Sequence, residues 1–366
     1  MYRIDWWKTI LLEDQALAAA NSVRNKNLSN GPVSREFELE FAKMVDAKFA
    51  VSVPSGTMGI VLALIANNVS AGDEVIVPCS TWISTAHAPM LLGCKVILAD
   101  VEKSRPVINC SLLEDKITKR TKAIIPVHLN GRSADINNLK YIAKKNDLII
   151  IEDTCQAFLS KNKDGFLGTQ CDTGCFSFGM SKLLPTGQGG MVVTNKKDIY
   201  DRLLLARNNG VHSIISPEYK IFGANFKFSD VLAAIGLSQL DMLSQRIKNL
   251  KNIYSNYEKV IANLSTVKLI PISYQEGEIP LYVDVLVEDR IRFMEYFTNK
   301  GIMTRVLPPS LNFAPQFNDG SQYRNSKKFS EHGLYLPSGP DQSISDLKEV
   351  FSTLVEFEEN QNMFKN

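Results

Sequence analysis

Apolar residues recur along the first half of the chain in short runs with two different spacings. Strand-like runs lie at residues 48–53, 74–77, 94–101, 123–128 and 148–152. Helix-like runs lie at residues 34–48, 59–67, 84–92 and 136–146. Strands that alternate with helices usually pair in parallel. The pattern therefore predicts an α/β fold with helices on both faces of a mostly parallel sheet, and ligands on such sheets bind at the carboxyl ends of the strands.

The pattern changes in the last third of the chain. Residues 229–264 form one long helical pattern, which we interpret as a connector between two lobes. Strands at 282–287 and 303–307, a helix at 290–300 and a closing helix at 344–358 follow. We expect a large α/β domain with an N-terminal arm over residues 1–245, and a smaller α+β domain over residues 246–366.

Composition and charge restrict the class of partner. Of the 366 residues, 45% are hydrophobic, and 41 basic residues nearly balance 39 acidic ones, which leaves a net charge of +2. This balance provides no electrostatic surface for nucleic acid or an anionic membrane, so the expected ligand is a small molecule. Charged residues interrupt the first twenty positions, which excludes a signal peptide with a continuous apolar core. Apolar stretches such as residues 60–66 are too short to span a bilayer. We expect a cytoplasmic protein.

The cysteines and histidines are scattered. The six cysteines are Cys79, Cys94, Cys110, Cys155, Cys171 and Cys175. They lie mostly in apolar runs, which favours reduced thiols over a disulfide framework. The four histidines, at positions 87, 128, 212 and 332, show no zinc-ligand spacing. No metal site is predicted.

Lys182 lies in the segment CFSFGMSKLLPTGQGGMVVT, residues 175–194. Residues 175–178 are predicted as one strand and 191–194 as another, with a glycine-rich connection at 186–190. A lysine held on such a turn can face a cleft and bind an aldehyde cofactor as a Schiff base. A solvated loop lysine is the alternative for this residue taken alone.

Asp153 follows the apolar run 148–151 and is predicted to emerge at the end of a strand, with Glu152 pointing to the opposite side. An anionic carboxylate there can keep a pyridinium nitrogen protonated, so that a cofactor ring acts as an electron sink. Gln156 could bind the hydroxyl group of the same ring. The alternatives are a solvated acid and a surface amide.

Five further residues, at three places along the chain, carry candidate ligand-binding groups. Ser55, Gly56 and Thr57 precede an apolar helix, where backbone amides bind phosphate, although an ordinary helix N-cap has the same pattern. Ser177 could contact the same phosphate or be a polar strand residue. Trp82 could stack on a cofactor ring or be a core tryptophan.

Taken in order, Gly56, Thr57, Trp82, Asp153, Gln156, Ser177 and Lys182 resemble one family along nearly the whole chain. The matching segments include SGTMGIVLAL, AGDEVIVPCSTWISTAHA, LIIIEDTCQAF, GTQCDTGCFSFGMSK and GANFKFSDVLAAIGLSQLD. The chain is identified by this resemblance as a member of the fold-type I DegT/DnrJ/EryC1/StrS sugar aminotransferases. That implies a large domain with a mostly parallel, mixed sheet of the seven-stranded type flanked by helices, and a smaller α+β C-terminal domain.

The resemblance also implies roles for residues. Lys182 would hold pyridoxal 5'-phosphate as a covalent internal aldimine, and Asp153 would be the partner of its pyridinium nitrogen. Trp82 would stack on the ring, and Gln156 completes the matched ring contacts. Gly56, Thr57 and Ser177 resemble the phosphate contacts. Asn225 matches an asparagine that reaches the phosphate in the neighbouring subunit, which implies a homodimer with shared active sites.

The reaction implied is transfer of an amino group from L-glutamate to a keto-sugar, usually nucleotide-linked, in amino-sugar or surface-polysaccharide biosynthesis. The chain departs from the family pattern at three places on the acceptor side. These are Gly179, Lys227 and the segment 305–317, which lacks a histidine that many relatives carry. Transamination of a small phosphorylated ketose or another keto-sugar without a nucleotide is therefore the alternative. Lys182 argues against a sugar dehydratase, and the retained cofactor residues argue against a non-catalytic regulator.

Overall fold

A large mixed sheet forms the centre of the computed structural model, which describes residues 2–213, 215, 217–318 and 320–363. The first nine strands are β1 (Phe49–Val53), β2 (Glu74–Pro78), β3 (Lys95–Ala99), β4 (Thr121–Ile124), β5 (Ile149–Asp153), β6 (Lys161–Asn162), β7 (Gly165–Phe166), β8 (Thr173–Ser177) and β9 (Gly190–Thr194). Strands β6 and β7 form a separate hairpin, and the other seven form one sheet in the order β1-β9-β8-β5-β4-β2-β3. Only β9 runs antiparallel to its neighbours among these seven described strands. The predicted α/β class is confirmed.

Helices cover both faces of this sheet. They are α1 (Glu13–Arg24), α2 (Pro32–Met44), α3 (Gly56–Ala66), α4 (Ser84–Leu91), α5 (Ile136–Asn146), α6 (Lys197–Arg207) and α7 (Asp230–Leu237). Successive residues of β8 point to opposite faces of the sheet. Cys175 packs in the core around α3, and Phe176 packs in the core around α2. The side chains of α3 are apolar nearly all round, which suits a helix buried between the sheet and α6.

Several predicted boundaries were displaced. Helix α3 begins at Gly56, three residues before the predicted start, because its first turn contains two glycines and a threonine and shows no apolar periodicity. Strand β4 ends at Ile124 instead of 128, since Pro126 lacks the amide hydrogen needed to continue the ladder. Asp153 is the last residue of β5, and it pairs with Cys175 of β8.

The single long helix predicted at 229–264 is wrong. Helix α7 ends at Leu237, a 3-10 turn follows at Leu240–Met242, and α8 (Leu243–Ile261) begins there. Gln239 explains the break, because its Nε2 donates to the carbonyl oxygens of Pro185 (2.7 Å) and Ile235 (2.8 Å). Arg246 of α8 donates to Oε1 of the same glutamine at 2.9 Å.

The remaining elements build a second sheet. They are β10 (Val267–Leu269), β11 (Val283–Val287), α9 (Arg290–Asn299), β12 (Arg305–Val306), α10 (Arg324–His332), β13 (Gly333–Leu336) and α11 (Ile344–Met363). The four strands are antiparallel in the order β10-β11-β13-β12. The N-terminal residues also join this part of the molecule, because Ile4 pairs with Ile302. We retain the division at residue 245 as a proposal, based on the separate core of this sheet.

The two sheets are joined by buried polar contacts. Arg132, which is fully buried, forms two hydrogen bonds with Asp284 of β11, at 2.8 and 2.6 Å. Asn130 donates its side-chain amide to the carbonyl oxygen of Tyr282 (2.8 Å) and accepts from the backbone N–H of Tyr282 (2.5 Å). These contacts fix the second sheet beside the carboxyl edge of the first. None of the helices in the described ranges has the length and apolar character that a bilayer crossing requires.

Candidate active site

A cleft of about 300 Å³ opens at the carboxyl edge of the large sheet. Seven of the sequence-predicted residues line it, namely Gly56, Thr57, Trp82, Asp153, Gln156, Ser177 and Lys182. They come together because the parallel strands β1, β2, β5 and β8 end at this one edge, as the fold class requires. The eighth, Asn225, is exposed and lies outside the cleft of its own chain.

Asp153 is a buried, hydrogen-bonded carboxylate. Only 5% of the residue is exposed, so it is not the solvated acid that one interpretation of the sequence allowed. Oδ2 accepts a 2.8 Å hydrogen bond from the Thr85 hydroxyl, and Oδ1 accepts from the backbone N–H of Cys155 at 3.1 Å. These two donors fix the orientation of the carboxyl group in the cleft.

Lys182 lies in the loop that connects β8 to β9. The loop is closed by 2.9 Å bonds from Phe178 N to Gly189 O and from Thr186 N to Phe178 O. The backbone N–H of Lys182 bonds to Gly179 O at 2.9 Å, which forms a tight turn around the lysine. The side chain is half-buried, and its Nζ has no ion-pair partner among the residues that the structure describes. The amine is thus held in the cleft without a competing carboxylate.

The first turn of α3 faces the same cleft. Ser55 caps the helix by accepting a 3.2 Å bond from the backbone N–H of Met58. Gly56 passes so close to its neighbours that an added Cβ would lie 2.6 Å from Cys155 Sγ and 3.0 Å from Ser177 Cβ. Glycine therefore allows the helix start to pack against β8, beside the hydroxyl groups of Thr57 and Ser177. Backbone N–H groups and hydroxyl groups at a helix start make a favourable site for an anion.

Trp82 is not a core residue, because 51% of it is exposed. It precedes α4, whose Thr85 binds Asp153, so one short segment contributes both groups to the cleft. Gln156 is half-buried, and its Oε1 accepts a 3.0 Å bond from the backbone N–H of Asn130. This contact occupies the acceptor of the amide and leaves its Nε2 group as a donor toward the cleft.

The sequence interpretation missed several cleft residues, among them Thr85, Tyr282, Arg305 and Tyr335. Thr85 lies three positions after Trp82, and helical spacing could have placed it near Asp153. Tyr282, Arg305 and Tyr335 belong to the second sheet region and line the cleft from the other side. Tyr282 is 4% exposed, and its hydroxyl donates to the Ser181 carbonyl at 2.9 Å, beside Lys182. Nothing in the order of residues along the chain indicates these contacts.

The cleft contains one thiol, Cys155. Desolvation and the nearby Asp153 carboxylate hold its pKa well above the ordinary value of a thiol. It therefore stays protonated near neutral pH and does not compete with Lys182 as a nucleophile. All six cysteines are free, and within residues 2–213, 215, 217–318 and 320–363 no group of three or more metal-ligating side chains is found.

A cleft lysine, a buried carboxylate and a helix start on a mixed seven-stranded sheet define a fold-type I pyridoxal-phosphate enzyme. A family model described as the DegT/DnrJ/EryC1/StrS aminotransferase family matches residues 10–355. The chain belongs to this family of pyridoxal-phosphate-dependent aminotransferases.

Individual relatives cover almost the same length. GDP-perosamine synthase of Escherichia coli O157:H7 is 33% identical over 333 residues, which cover 90% of this chain and 91% of the relative. The spore coat polysaccharide biosynthesis protein SpsC of Bacillus subtilis (strain 168) is 29% identical, with 89% and 90% covered. Among solved structures, S. venezuelae DesV in complex with a ketimine intermediate superimposes with a TM-score of 0.90 at 27% identity, covering 95% of each chain.

Proposed function

We propose that the enzyme transfers the amino group of L-glutamate to a nucleotide-linked keto-sugar, in the biosynthesis of amino sugars or surface polysaccharides. The observation that carries the proposal is the presence of Lys182 and Asp153 in one cleft beside the start of α3. The names of the relatives support the acceptor class, since one is a synthase of a GDP-linked sugar and another belongs to polysaccharide biosynthesis.

Pyridoxal 5'-phosphate fits the groups that line the cleft. The N–H groups at the start of α3, with the hydroxyl groups of Thr57 and Ser177, suit its phosphate. The Asp153 carboxylate suits a protonated ring nitrogen, and the exposed face of Trp82 suits a flat ring. When bound, the cofactor supplies a ring that withdraws electrons from the α-carbon of the donor.

Asp153 and Gln156 would tune the ring from two sides. The two hydrogen bonds to Asp153 hold its carboxyl group in the orientation in which it would face the ring nitrogen. Because Asn130 occupies Oε1 of Gln156, the Nε2 group is free to donate to the oxygen substituent of the ring. Both residues act through hydrogen bonds that the protein has already oriented, so little reorganisation accompanies the reaction.

Lys182 would have two functions. We propose that Nζ attaches the cofactor covalently in the resting enzyme and is released when the donor binds. The freed amine would then be the base that takes the proton from the α-carbon of the donor and the acid that returns it. The second half-reaction reverses these proton movements on the keto-sugar, which predicts ping-pong kinetics.

Absorbance spectroscopy tests the cofactor and the donor together. Purified enzyme should show the visible absorbance of a lysine-bound cofactor and lose it when glutamate alone is added. Lys182→Arg keeps the positive charge but should abolish the absorbance change and reduce turnover by at least about 1,000-fold. Transamination that survives in Lys182→Ala would disprove the role of the lysine.

A panel of acceptors separates the two substrate classes. The cofactor form left by glutamate should return to its first absorbance on addition of nucleotide-linked keto-sugars. Small phosphorylated ketoses should leave the absorbance of that form unchanged. The opposite result would assign the enzyme to the second class, for which the departures at Gly179 and Lys227 leave room.

We propose that the enzyme is a homodimer in which Asn225 reaches the cofactor phosphate of the partner subunit. Asn225 is exposed, and Tyr219 and Phe222 in the same loop are 80% and 69% exposed, which suits a surface that a second copy covers. Mixing inactive Lys182→Ala and Asn225→Asp chains tests this, because a mixed dimer would contain one intact site. No recovery of activity in verified mixed dimers would contradict shared sites.

We also propose that the enzyme works in the cytoplasm. Its six free thiols suit a reducing compartment. Fractionation of cells that express the tagged protein would test this, and recovery in a secreted or periplasmic fraction would contradict it.

A further inference from the structure

Arg305 lies close to two tryptophan side chains. Its guanidinium carbon lies 4.7 Å from the ring centroid of Trp6 and 5.9 Å from that of Trp82. Trp6 comes from the N-terminal segment, and Trp82 from the segment before α4. Contacts between a guanidinium and aromatic rings orient the cation without using its N–H donors in hydrogen bonds.

Trp6 is itself fixed by the second sheet region. Its ring lies 5.5 Å from that of Tyr282 and 5.9 Å from that of Tyr335, and its carbonyl oxygen accepts from the backbone N–H of Ser338. Tyr335 pairs directly with Arg305 across strands β13 and β12. The N-terminal segment thus delivers a side chain that supports the arginine from outside the cleft.

Arg305 has no carboxylate partner among the residues that the structure describes. This distinguishes it from Arg105, Arg132 and Arg207, each of which pairs with a buried acid. Lys182 and Arg305 are the two basic residues that line the cleft. Because Lys182 is committed to the cofactor and the proton, Arg305 is the cation that the described cleft residues of one chain leave for an anionic substrate group.

The size of the cleft favours one substrate as the source of that anion. A volume of about 300 Å³ is at the low end for ligand pockets, and the cofactor ring must share it. A keto-sugar ring carries no charge, and the phosphates of a nucleotide-linked sugar would extend beyond this space. Glutamate, by contrast, brings two carboxylates close to the reacting carbon.

We propose that Arg305 binds a carboxylate of the amino donor and that Trp6 is a positioning residue that holds Arg305 for this contact. The inference rests on the proposed function, because it assumes glutamate as the donor. A planar guanidinium can bind a carboxylate through two parallel hydrogen bonds.

The two half-reactions, measured separately by absorbance, test the proposal. Arg305→Gln should raise the apparent Kd for glutamate in the first half-reaction by about 10- to 100-fold, as expected for hydrogen bonds to a charged group. The second-order rate constant of the aminated enzyme with the keto-sugar should stay within about threefold. A fall confined to the keto-sugar step would show that Arg305 binds the acceptor phosphates and would overturn the proposal, as would no effect on either step.

Binding of glutarate gives a readout that does not depend on turnover. Glutarate has both carboxylates of glutamate but no amine. Calorimetry should detect its binding to the wild-type holoenzyme and a loss of about 10-fold or more in Arg305→Gln. Equal affinity in the two proteins would overturn the proposal even if turnover differs. If glutamate does not change the absorbance of the wild-type enzyme, that result would instead contradict the proposed function.

Variants of Trp6 test the positioning role. Trp6→Leu should raise KM for glutamate and the Kd for glutarate by about 3- to 10-fold with little change in kcat, while Trp6→Phe should retain most of the affinity. Arg3→Gln is the matched control, because Arg3 is in the same N-terminal segment but pairs with Glu349 at an exposed site. If Trp6→Leu lowers only the thermal stability, Trp6 is structural and this half of the proposal is wrong.

Discussion

The hydroxyl of Thr85 donates a 2.8 Å hydrogen bond to Oδ2 of Asp153. Thr85 has a single hydroxyl proton, so the 2.8 Å contact between Thr85 Oγ1 and Thr81 Oγ1 must use the proton of Thr81. Both threonines are 1% exposed. A relay of two buried hydroxyl groups therefore orients the carboxylate that the proposed mechanism places beside the ring nitrogen.

Replacing Thr85 by valine removes this bond at nearly constant volume. We expect kcat to fall by about 10-fold or more, because a hydrogen bond to a charged group contributes roughly 1.5–3 kcal/mol. Steady-state kinetics at saturating glutamate would measure the change. Thr85→Ser is the control that keeps the hydroxyl, and it should retain most of the activity. Equal kcat in the valine variant and the wild type would show that Asp153 does not depend on Thr85.

Gly56→Ala tests how closely the start of α3 must pack. The new methyl group would lie 2.6 Å from Cys155 Sγ and 3.0 Å from Ser177 Cβ, so the Cys155 side chain or the helix start must shift, at a cost of about 1–3 kcal/mol. We expect weaker binding of pyridoxal 5'-phosphate, measured by titrating the apoenzyme. Gly59→Ala is the matched control in the same helix, because its methyl group would meet ordinary contacts of 3.4 Å or more. Equal cofactor affinity in both variants would contradict the prediction.

Arg132 and Asp284 should be strongly coupled in stability. Arg132→Ala leaves a carboxylate buried without its partner, so we expect the free energy of unfolding to fall by about 3–5 kcal/mol. Lys197→Ala, which breaks the exposed pair with Asp201, should cost no more than about 1 kcal/mol. Urea denaturation of the three proteins measures both effects. Similar losses in the two variants would mean that the buried ion pair contributes no more to stability than the exposed one.

The low pKa of Glu358 predicts that the protein loses stability in acid. Burial alone would raise its pKa, but hydrogen bonds from the side chains and backbone of Ser265 and Thr266 outweigh burial and lower the pKa to about 2. The ionised form is thus favoured in the folded state, and its contribution is full above about pH 5. It should disappear between about pH 5 and 2, with a total of roughly 3 kcal/mol.

Comparison of wild type with Glu358→Gln isolates this contribution. We expect the variant to be less stable than the wild type at pH 7, and the difference to shrink toward pH 2–3, where the wild-type carboxylate becomes protonated. Urea midpoints at several pH values give the difference directly. A difference that stays constant with pH would show that the carboxylate is not the source.

Much of the large sheet could be predicted from local pattern. Strands β2 and β5 and helix α5 were predicted within a residue or two, because the strands are compact apolar runs and the helix has apolar residues at helical spacing. The long helix at 229–264 was not, since its break depends on Gln239 bonding to Pro185, which lies 54 residues earlier. Periodicity reports the propensity of a segment and carries no information about a distant partner.

The candidate site divides in the same way. Lys182 and Asp153 could be singled out from the sequence, because the end of a strand and a glycine-rich turn place side chains at the edge of a parallel sheet. Tyr282 and Arg305 could not, since their roles arise from contacts between segments that no local rule connects.

The sequence by itself determined the class of fold, the family and the set of residues suited to an aldehyde cofactor, because these follow from periodicity and from motifs in a fixed order. Only the tertiary structure decided how the cleft is closed. It joined the second sheet region to the first through Arg132 and Asp284 and brought Trp6 against Arg305. The physical reason is that burial and pairing of charges depend on distances across the folded chain, which the order of residues does not specify.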